Sequence, residues 1–600
     1  MYLIFIVACI VYGLYQVVTV ALPHHFLVPT QNWRDKIQKV LDHPTPIYLK
    51  VGTKKSSFRR RLILASCQPS FYTNFVNNKL KVQEDDRKNE GNTFVNEMKR
   101  RDVEDPSRKL LYGFFHPYAN NGGGGERVLW EAVKATLLED DRNIVVVYIS
   151  SDQEPLQIIR KAEEKFQINL DSPRVVFIYL RRFSKFIDGN YWKHFTMIGQ
   201  LLGTFLLTLE AMNELSPDVW IDTMGLPCSY FPVHVILKIP ILAYIHYPII
   251  QKEMFNKLKY KSIRQVKFTK DPADILQVGK LMYWSGLYYF YTYLGSLVDV
   301  VLTNGTWTYS HISEIFTVNT LTGSTIDTLY PPCGEGLTST KGLDTVRENK
   351  MLYIGQFRPE KRHNLILEEY LDFLAQAKSK KLAIAKLPTI VFLGSCRTPD
   401  DTATLSALYK QVEELELTAY VEFVVDCSYD EVVHWLSKAT YGLNAMWNEH
   451  FGIGVVEYLS SGIIPLVHAS AGPYLDIVTP WNDEPSKSWY NNTGFFFKSK
   501  QDPDFDPIIQ VEDENMLNFK AGDSIIAYPT FAKLLSEIFI EHPQLVAPPV
   551  LESMRSNGEK VVEKFSNRAF DIKWMQYLKT LSSLESRYRD EKRSTVERVY

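Results

Sequence analysis

The chain is poor in cysteine and shows no sulfur pattern: six cysteines in 600 residues (Cys9, Cys67, Cys228, Cys333, Cys396, Cys427), none in a C-x-x-C pair. That spacing excludes a zinc ribbon or thioredoxin-type dithiol and fits a reducing compartment. The chain also lacks an excess of charge of either sign. Sixty-seven Lys+Arg against 69 Asp+Glu leave −2, so no basic surface advertises a nucleic-acid partner. No repeat of fixed short period is visible. A metal loop is imitated but not completed: Asp502-Pro503-Asp504-Phe505-Asp506 resembles the start of an EF-hand, yet Pro507 stands where Gly is required and Asp513 where Glu is usual. The segment reads as an exposed acidic loop, and no metal is expected.

Long apolar runs are scarce as well. Tyr2 to Leu22 carries no charge and breaks at Pro23. As a helix it would span ~32 Å, against a hydrocarbon layer of ~30 Å. It has neither the basic leader nor the cleavage pattern of a signal peptide, so residues 1–23 read as an uncleaved transmembrane anchor. Arg34, Lys36 and Lys39 follow it, and Lys50 to Arg61 adds six more cations. The positive-inside tendency then leaves the body cytosolic, with the sequons at Asn304 and Asn491 bare. Met197 to Leu209 is too short to span. Leu281 to Val298 is uncharged and holds seven aromatic residues; as a helix it could just span or be buried, and an interfacial helix is the favoured reading.

What is abundant is ordinary globular material: 45% apolar and 23% charged residues, with an aromatic surplus of 13% that suits a membrane-interface protein. Residues 24–109 form a membrane-proximal basic and linker segment, ending in the solvated stretch Gln83–Arg108. Short β-branched or aromatic runs then alternate with helix-length stretches: Leu110–His116, Ile144–Ile149, Val175–Leu180, Val219–Asp222, Ile241–His246 and Val298–Thr303. Residues 331–350 are a Pro/Gly-rich linker. A second series follows at Met351–Phe357, Thr389–Gly394, Tyr420–Val425, Tyr441–Met446 and Ile463–His468. The pattern predicts two α/β domains with parallel sheets, 110–330 and 351–580, and a charged tail at 581–600 that is a helix end or disordered and is assigned no function. Ligands should lie at the carboxyl ends of the strands, in a cleft between the domains.

Three turns carry chemistry. Asn120-Asn121-Gly122-Gly123-Gly124-Gly125-Glu126-Arg127 sits between the first strand and an apolar helix, where glycines let the backbone approach a phosphate or sugar. It is not the dinucleotide fingerprint, whose G-x-G-x-x-G spacing and later acid are missing. Gly355-Gln356-Phe357-Arg358-Pro359-Glu360-Lys361-Arg362 delivers cations from a strand end, suited to a diphosphate. Trp447-Asn448-Glu449-His450-Phe451-Gly452-Ile453-Gly454-Val455-Val456-Glu457 sets two carboxylates around a glycine turn that opens a helix. Its N–H groups would face an anion, and Glu457 could accept vicinal hydroxyls.

The E-x₇-E pattern with its inner F-G-I-G, the basic loop and the glycine-rich turn resemble the family 4 nucleotide-sugar glycosyltransferases. Longer strings narrow the resemblance: Gly113–Trp130, Ala243–Pro248, Gly355–Leu367 and Asn448–Pro473 look like the α-1,2-mannosyltransferases of the dolichol pathway, over about Leu110 to Met575. The resemblance implies the GT-B architecture, two Rossmann-like domains facing a cleft behind an N-terminal transmembrane helix. It implies GDP-mannose as donor and a dolichyl-diphosphate oligosaccharide, Man3GlcNAc2-PP-dolichol, as acceptor of the fourth and fifth mannoses. It also implies the cytosolic face of the endoplasmic reticulum membrane, with other mannosyltransferases of the pathway as partners and no cofactor. Residue by residue, Glu449 matches the acid on the donor sugar, with backbone N–H groups of Phe451, Gly452 and Ile453 beside it. Glu457 matches the acid on the ribose, and Lys361 the lysine on the diphosphate. His246 matches a catalytic-site histidine near donor sugar and acceptor. Gly122, Gly123, Gly124 and Gly125 form the acceptor or phosphate loop. One departure stands out: where many members carry Arg after the strand's glycine, this chain has Gln356, and Arg358 is expected to supply the charge. Other GT-B enzymes, or an inactive GT-B scaffold, are the competing readings.

Overall fold

The computed structural model describes residues 2–22, 110–333 and 347–597, apart from short breaks at 142, 171–173, 252–253, 256–257, 261–262, 267–271, 383–386, 482–487, 511–514 and 522–523. The basic flank at 24–109 and most of the expected linker (334–346) lie outside the described residues.

The chain divides into two units. One comprises Met1–Asn304, Thr308–Leu329 and Asp571–Tyr600; the other comprises Gly305–Trp307 and Tyr330–Phe570. The first is built on seven parallel strands: β1 (Leu111–Phe115), β2 (Ile144–Ile149), β3 (Val175–Tyr179), β4 (Val219–Asp222), β5 (Ile241–Ile245), β6 (Val300–Thr303) and β7 (Thr325–Thr328). Their order is β3-β2-β1-β4-β5-β6-β7. Five of the first six are buried along their whole length, β3 all but its last residue, as expected for continuous Val/Ile/Phe runs covered by helices on both faces. The second unit repeats the plan with β8 (Glu348–Ile354), β9 (Thr389–Gly394), β10 (Val421–Val425), β11 (Ala439–Asn444), β12 (Ile464–His468) and β13 (Phe495–Phe497), in the order β10-β9-β8-β11-β12-β13. A hairpin, β14 (Met516–Ala521) with β15 (Ser524–Pro529), is added. In each sheet the strand order reverses beside the first strand, between β1 and β4 and between β8 and β11. Open α/β sheets bind ligands at such switch points. Two Rossmann-like units are thus what the sequence pattern implies.

The membrane-facing expectations fare unevenly. Helix α1 (Tyr2–Gln16) is regular for 15 residues and passes into a π-helical turn at Val17–Ala21. Among the described residues no helix is long and apolar enough to cross a membrane. The short run Met197–Leu209 lies within α3 (Thr196–Glu214), which follows α2 (Gly124–Glu139). The aromatic run belongs to α4 (Pro272–Gly295). That helix buries Leu281, Leu287, Tyr291 and Leu294 and exposes Leu276, Met282, Tyr289, Phe290 and Tyr293. Both sequon asparagines are buried, at 5% and 7% exposure for Asn304 and Asn491, leaving no room for a glycan on the folded chain.

Two readings need correction. The expected domain end at residue 580 is too late: the last helix, α7 (Asn567–Glu597), joins the first unit from Asp571 onward. In the first unit its Trp574 Nε1 donates to Thr136 Oγ1 (2.9 Å) and its Tyr588 hydroxyl to Asp299. The charged tail at 581–600 continues this helix as far as Glu597, which agrees with its reading as a helix end. The acidic loop is not exposed as a whole: Asp502 is buried, its carboxylate held by His468 and Arg362.

Candidate functional site

In the first unit the site is built at the carboxyl ends of β1 and β4. Immediately after β1, His116 turns inward, 1% exposed. Its Nδ1 lies 2.7 Å from Thr223 Oγ1 and its Nε2 lies 3.5 Å from Glu126 Oε1. Glu126, in the first turn of α2, also accepts the Gly123 N–H (2.6 Å), which fixes the entry of the glycine turn. Burial alone would raise its carboxyl, but His116 and the N–H bonds outweigh that and hold it below the usual range. Thr223 follows β4, whose last residue, Asp222, is fully buried and accepts the N–H groups of Met224 (2.9 Å) and Leu226 (2.6 Å) and the Tyr230 hydroxyl (2.8 Å). The Thr223 carbonyl accepts from His246 Nε2 at 3.0 Å, so that nitrogen carries the proton. A Cβ at Gly125 would stand 3.5 Å from the same Nε2. The structure thus brings His246, placed just past β5, against the glycine turn Gly122–Gly125. Lys161 Nζ donates to the Asn120 carbonyl (2.6 Å) and secures the turn's other flank.

In the second unit the site grows from β8 and β11. Two buried tyrosines rivet these strands at their carboxyl ends. Tyr353 donates its hydroxyl to the Lys361 carbonyl and accepts the Ala445 N–H (3.3 Å). Tyr458 donates to the Leu443 carbonyl (3.1 Å) and accepts the Ile354 N–H (2.7 Å). The basic loop after β8 and the acidic loop after β11 are thereby set side by side. Lys361 Nζ forms an ion pair with Glu449 Oε2, and Asn444 Nδ2 approaches the same oxygen at 3.4 Å. Both side chains remain partly exposed, at 22% and 17%, so they are held but reachable.

Gly452 adopts φ +99°, a conformation that L side chains rarely take, and turns the chain into α6 (Ile453–Ser460), after α5 (His363–Ser379). A Cβ at Gly452 would lie 3.3 Å from Glu449 Cγ, so the turn lies against the glutamate. The Phe451 ring is buried against Tyr330 and Phe565, which anchors the turn. Glu457 is half-buried in the first turns of α6.

Arg358 is the site residue whose engagement lies elsewhere: its Nε pairs with Asp401 at 3.2 Å, at the start of the helix Pro399–Glu414. The sequence reading passed over His116, Thr223, Asn444 and His468. A signal for His116 was present, since it ends a strand and precedes a proline much as His246 ends one two residues before Pro248. The others become visible only when the strands are put side by side.

Comparison with known proteins places the chain in a family. Residues 109–316 match the family described as ALG11 mannosyltransferase N-terminus, and residues 340–511 match Glycosyl transferases group 1. A GDP-Man:Man(3)GlcNAc(2)-PP-Dol alpha-1,2-mannosyltransferase of Debaryomyces hansenii is 59% identical over 99% of both chains. One so named from Homo sapiens is 36% identical over 66% of this chain and 78% of its own. Among solved structures, the α,α-trehalose 6-phosphate synthase of Burkholderia multivorans covers 79% of this chain and 99% of its own, with TM-score 0.50 and 9% identity, a likeness of fold alone. Matched along its whole length by relatives at 59% and 56% identity, the chain belongs to the GDP-Man:Man(3)GlcNAc(2)-PP-Dol alpha-1,2-mannosyltransferase family.

Proposed function

We propose that the chain transfers mannose in α-1,2 linkage from GDP-mannose to Man3GlcNAc2-PP-dolichol, giving the Man4 and then the Man5 form. The observation that carries the reading is the meeting of Lys361 and Glu449 at the switch point of the second sheet. A lysine there suits the leaving diphosphate. The glutamate and the turn that follows it suit the hydroxyls of the sugar. Glu457 holds the ribose. Negative charge grows on the diphosphate as the sugar takes on oxocarbenium character. A fixed cation and oriented N–H groups at that position lower the barrier where it arises. No second carboxylate is assigned as a nucleophile. The acceptor hydroxyl attacks from the face that the diphosphate leaves, and the leaving phosphate takes its proton, so configuration is retained. In the first unit His246 and the Gly122–Gly125 turn serve the acceptor.

The same reading places the enzyme on the cytosolic face of the endoplasmic reticulum membrane, held by the apolar segment that contains α1. The exposed aromatic face of α4 and Phe195, which meets Tyr283 of α4 edge to face, lie at headgroup depth. Other mannosyltransferases of the pathway are its neighbours there. The test is direct. Detergent-solubilised protein incubated with GDP-mannose and Man3GlcNAc2 on a polyprenyl diphosphate should yield products heavier by one and then two hexoses, sensitive to an α-1,2-mannosidase. No product, or a linkage that resists that enzyme, refutes the assignment.

A further inference from the structure

Asp502 is used by none of the groups assigned to donor or acceptor, yet it is among the most thoroughly engaged carboxylates of the second unit. Its side chain is 0% exposed. Oδ1 accepts from Arg362 Nη1 (2.7 Å); Oδ2 accepts from His468 Nε2 (2.8 Å) and from the Ser499 N–H (2.9 Å). Burial would raise this carboxyl, but His468, Arg362 and Lys498 overcome it and hold it down at about 2. Ionised, Asp502 can only accept, so His468 Nε2 carries a proton. Burial lowers the His468 pKa against the pull of Asp502, which favours the neutral ring with Nδ1 as an acceptor. Ser470 Oγ lies 2.8 Å from that Nδ1 and accepts the Asn448 N–H at 2.9 Å. The hydroxyl therefore donates to the ring. Every donor from Asn448 onward points towards Asp502, and one tautomer satisfies the whole chain.

The two ends of this relay give it meaning. Arg362 directly follows Lys361, and Asn448 directly precedes Glu449. Lys361 and Glu449 are themselves paired, so the relay closes a ring around the donor site. Both terminal residues are also held in the left-handed region, Arg362 at φ +56° and Asn448 at φ +53°. Such strain persists where surrounding contacts over-determine the backbone. The neighbouring Asp504 extends the grip: it accepts from Trp447 Nε1 (3.1 Å) and pairs with Lys498 (2.6 Å). The acidic loop therefore fastens both residues that lead into Glu449.

We propose that Asp502 is a positioning residue which, through His468 and Ser470 on one side and Arg362 on the other, sets Lys361 and Glu449 at the separation that the reaction needs. The inference rests on the donor-site reading above. A displacement of about 1 Å at reacting groups can lower turnover roughly a hundredfold.

The experiment uses the full-length, detergent-solubilised enzyme and compares Asp502→Asn, Ser470→Ala, Ser470→Thr and the Asp502→Asn/Ser470→Ala double variant. Lys361→Ala and Glu449→Ala are measured alongside. Asp502→Asn should lower kcat by about tenfold to a hundredfold and change KM for GDP-mannose by a smaller factor. Ser470→Ala should act the same way more mildly, and Ser470→Thr, which keeps the hydroxyl, should restore most of the loss. The double variant should be little worse than Asp502→Asn, because both break one relay. If Asp502→Asn does not fold, the Ser470 pair decides alone, since it touches only the far end. Wild-type kcat in Asp502→Asn or Ser470→Ala overturns the proposal if Lys361→Ala and Glu449→Ala have lost turnover. So do losses that multiply in the double variant. Retained turnover in Lys361→Ala and Glu449→Ala instead overturns the donor-site reading, and this proposal with it.

Discussion

The two glutamates of the acidic loop should respond to truncation with opposite signs when GDP is the ligand. Glu449 is paired with Lys361, the cation assigned to the diphosphate. In Glu449→Ala that lysine loses its carboxylate, and the incoming diphosphate no longer meets a like charge. At an effective dielectric of ~20, removing one negative charge beside the diphosphate site is worth at least about 1–2 kcal/mol. GDP should therefore bind about fivefold to thirtyfold more tightly. Glu457 lies eight residues on, in α6, and is assigned to the ribose. A lost hydrogen bond to a charged group costs about 1.5–3 kcal/mol, so Glu457→Ala should weaken GDP by roughly ten- to 150-fold. Turnover should separate the variants as well. Glu449→Ala loses kcat, because it removes a group at the transferred sugar, whereas Glu457→Ala chiefly raises KM. Calorimetric titration with GDP and with GDP-mannose, alongside single-turnover product formation, measures both quantities. If Glu449→Ala weakens GDP as much as Glu457→Ala does, the division of labour is wrong, and the Lys361–Glu449 pair is scaffolding for the nucleotide.

Three further outcomes follow from other parts of the molecule. In the first unit Asp571 sits beside buried Glu131 and 3.5 Å from Lys134, and burial followed by the Glu131 charge pushes its carboxyl up to about 7. The folded chain then keeps a proton that the unfolded chain releases near pH 4, so stability should fall as pH rises from about 4 through 7. Asp571→Asn should flatten that part of a melting-temperature profile; an unchanged slope would locate the effect elsewhere. Gly442→Ala should destabilise by about 1–3 kcal/mol in denaturant titration. A Cβ there would press into the Tyr458 ring, which is buried and pinned by hydrogen bonds to Ile354 and Leu443, and a wild-type midpoint would show that the ring can yield. Turnover should continue in EDTA, since Lys361 and the N–H groups of the turn supply the positive potential; loss of activity restored by Mn²⁺ or Mg²⁺ would refute this.

Most of the framework was readable because buried parallel strands leave a strong trace. Ile144–Ile149, Val219–Asp222 and Thr389–Gly394 match the expected runs residue for residue. The strands not foreseen are the weak ones. Thr325–Thr328 is polar and largely half-exposed at the sheet's edge, and Phe495–Phe497 is only three residues long. The hairpin β14–β15 alternates too loosely to stand out among loops. Lys361 and Glu449 were legible through the family resemblance, and the sequence placed each at a strand end. Their mutual contact was not, because 88 residues separate them and only the β8–β11 register brings them together.

Asp502 shows where reading from local pattern stops. Three aspartates alternating with Pro and Phe have the composition of a solvated loop, and nothing within that window names a partner. The partners lie at residues 362 and 468, one past the end of β8's loop and one at the end of β12. A carboxylate becomes a buried one when distant elements supply enough donors to offset its desolvation, and here an arginine, an imidazole and a backbone N–H all converge on it. The same reasoning separates Asp502 from Asp506 of the same motif, whose side chain, among the described residues, caps the short turn Pro507–Ile509 through the Ile508 N–H. Identical residues four positions apart thus differ in surroundings according to what the sheet brings to them. The consequence is specific: substitution at Asp506 should leave turnover near wild type, while substitution at Asp502 should not.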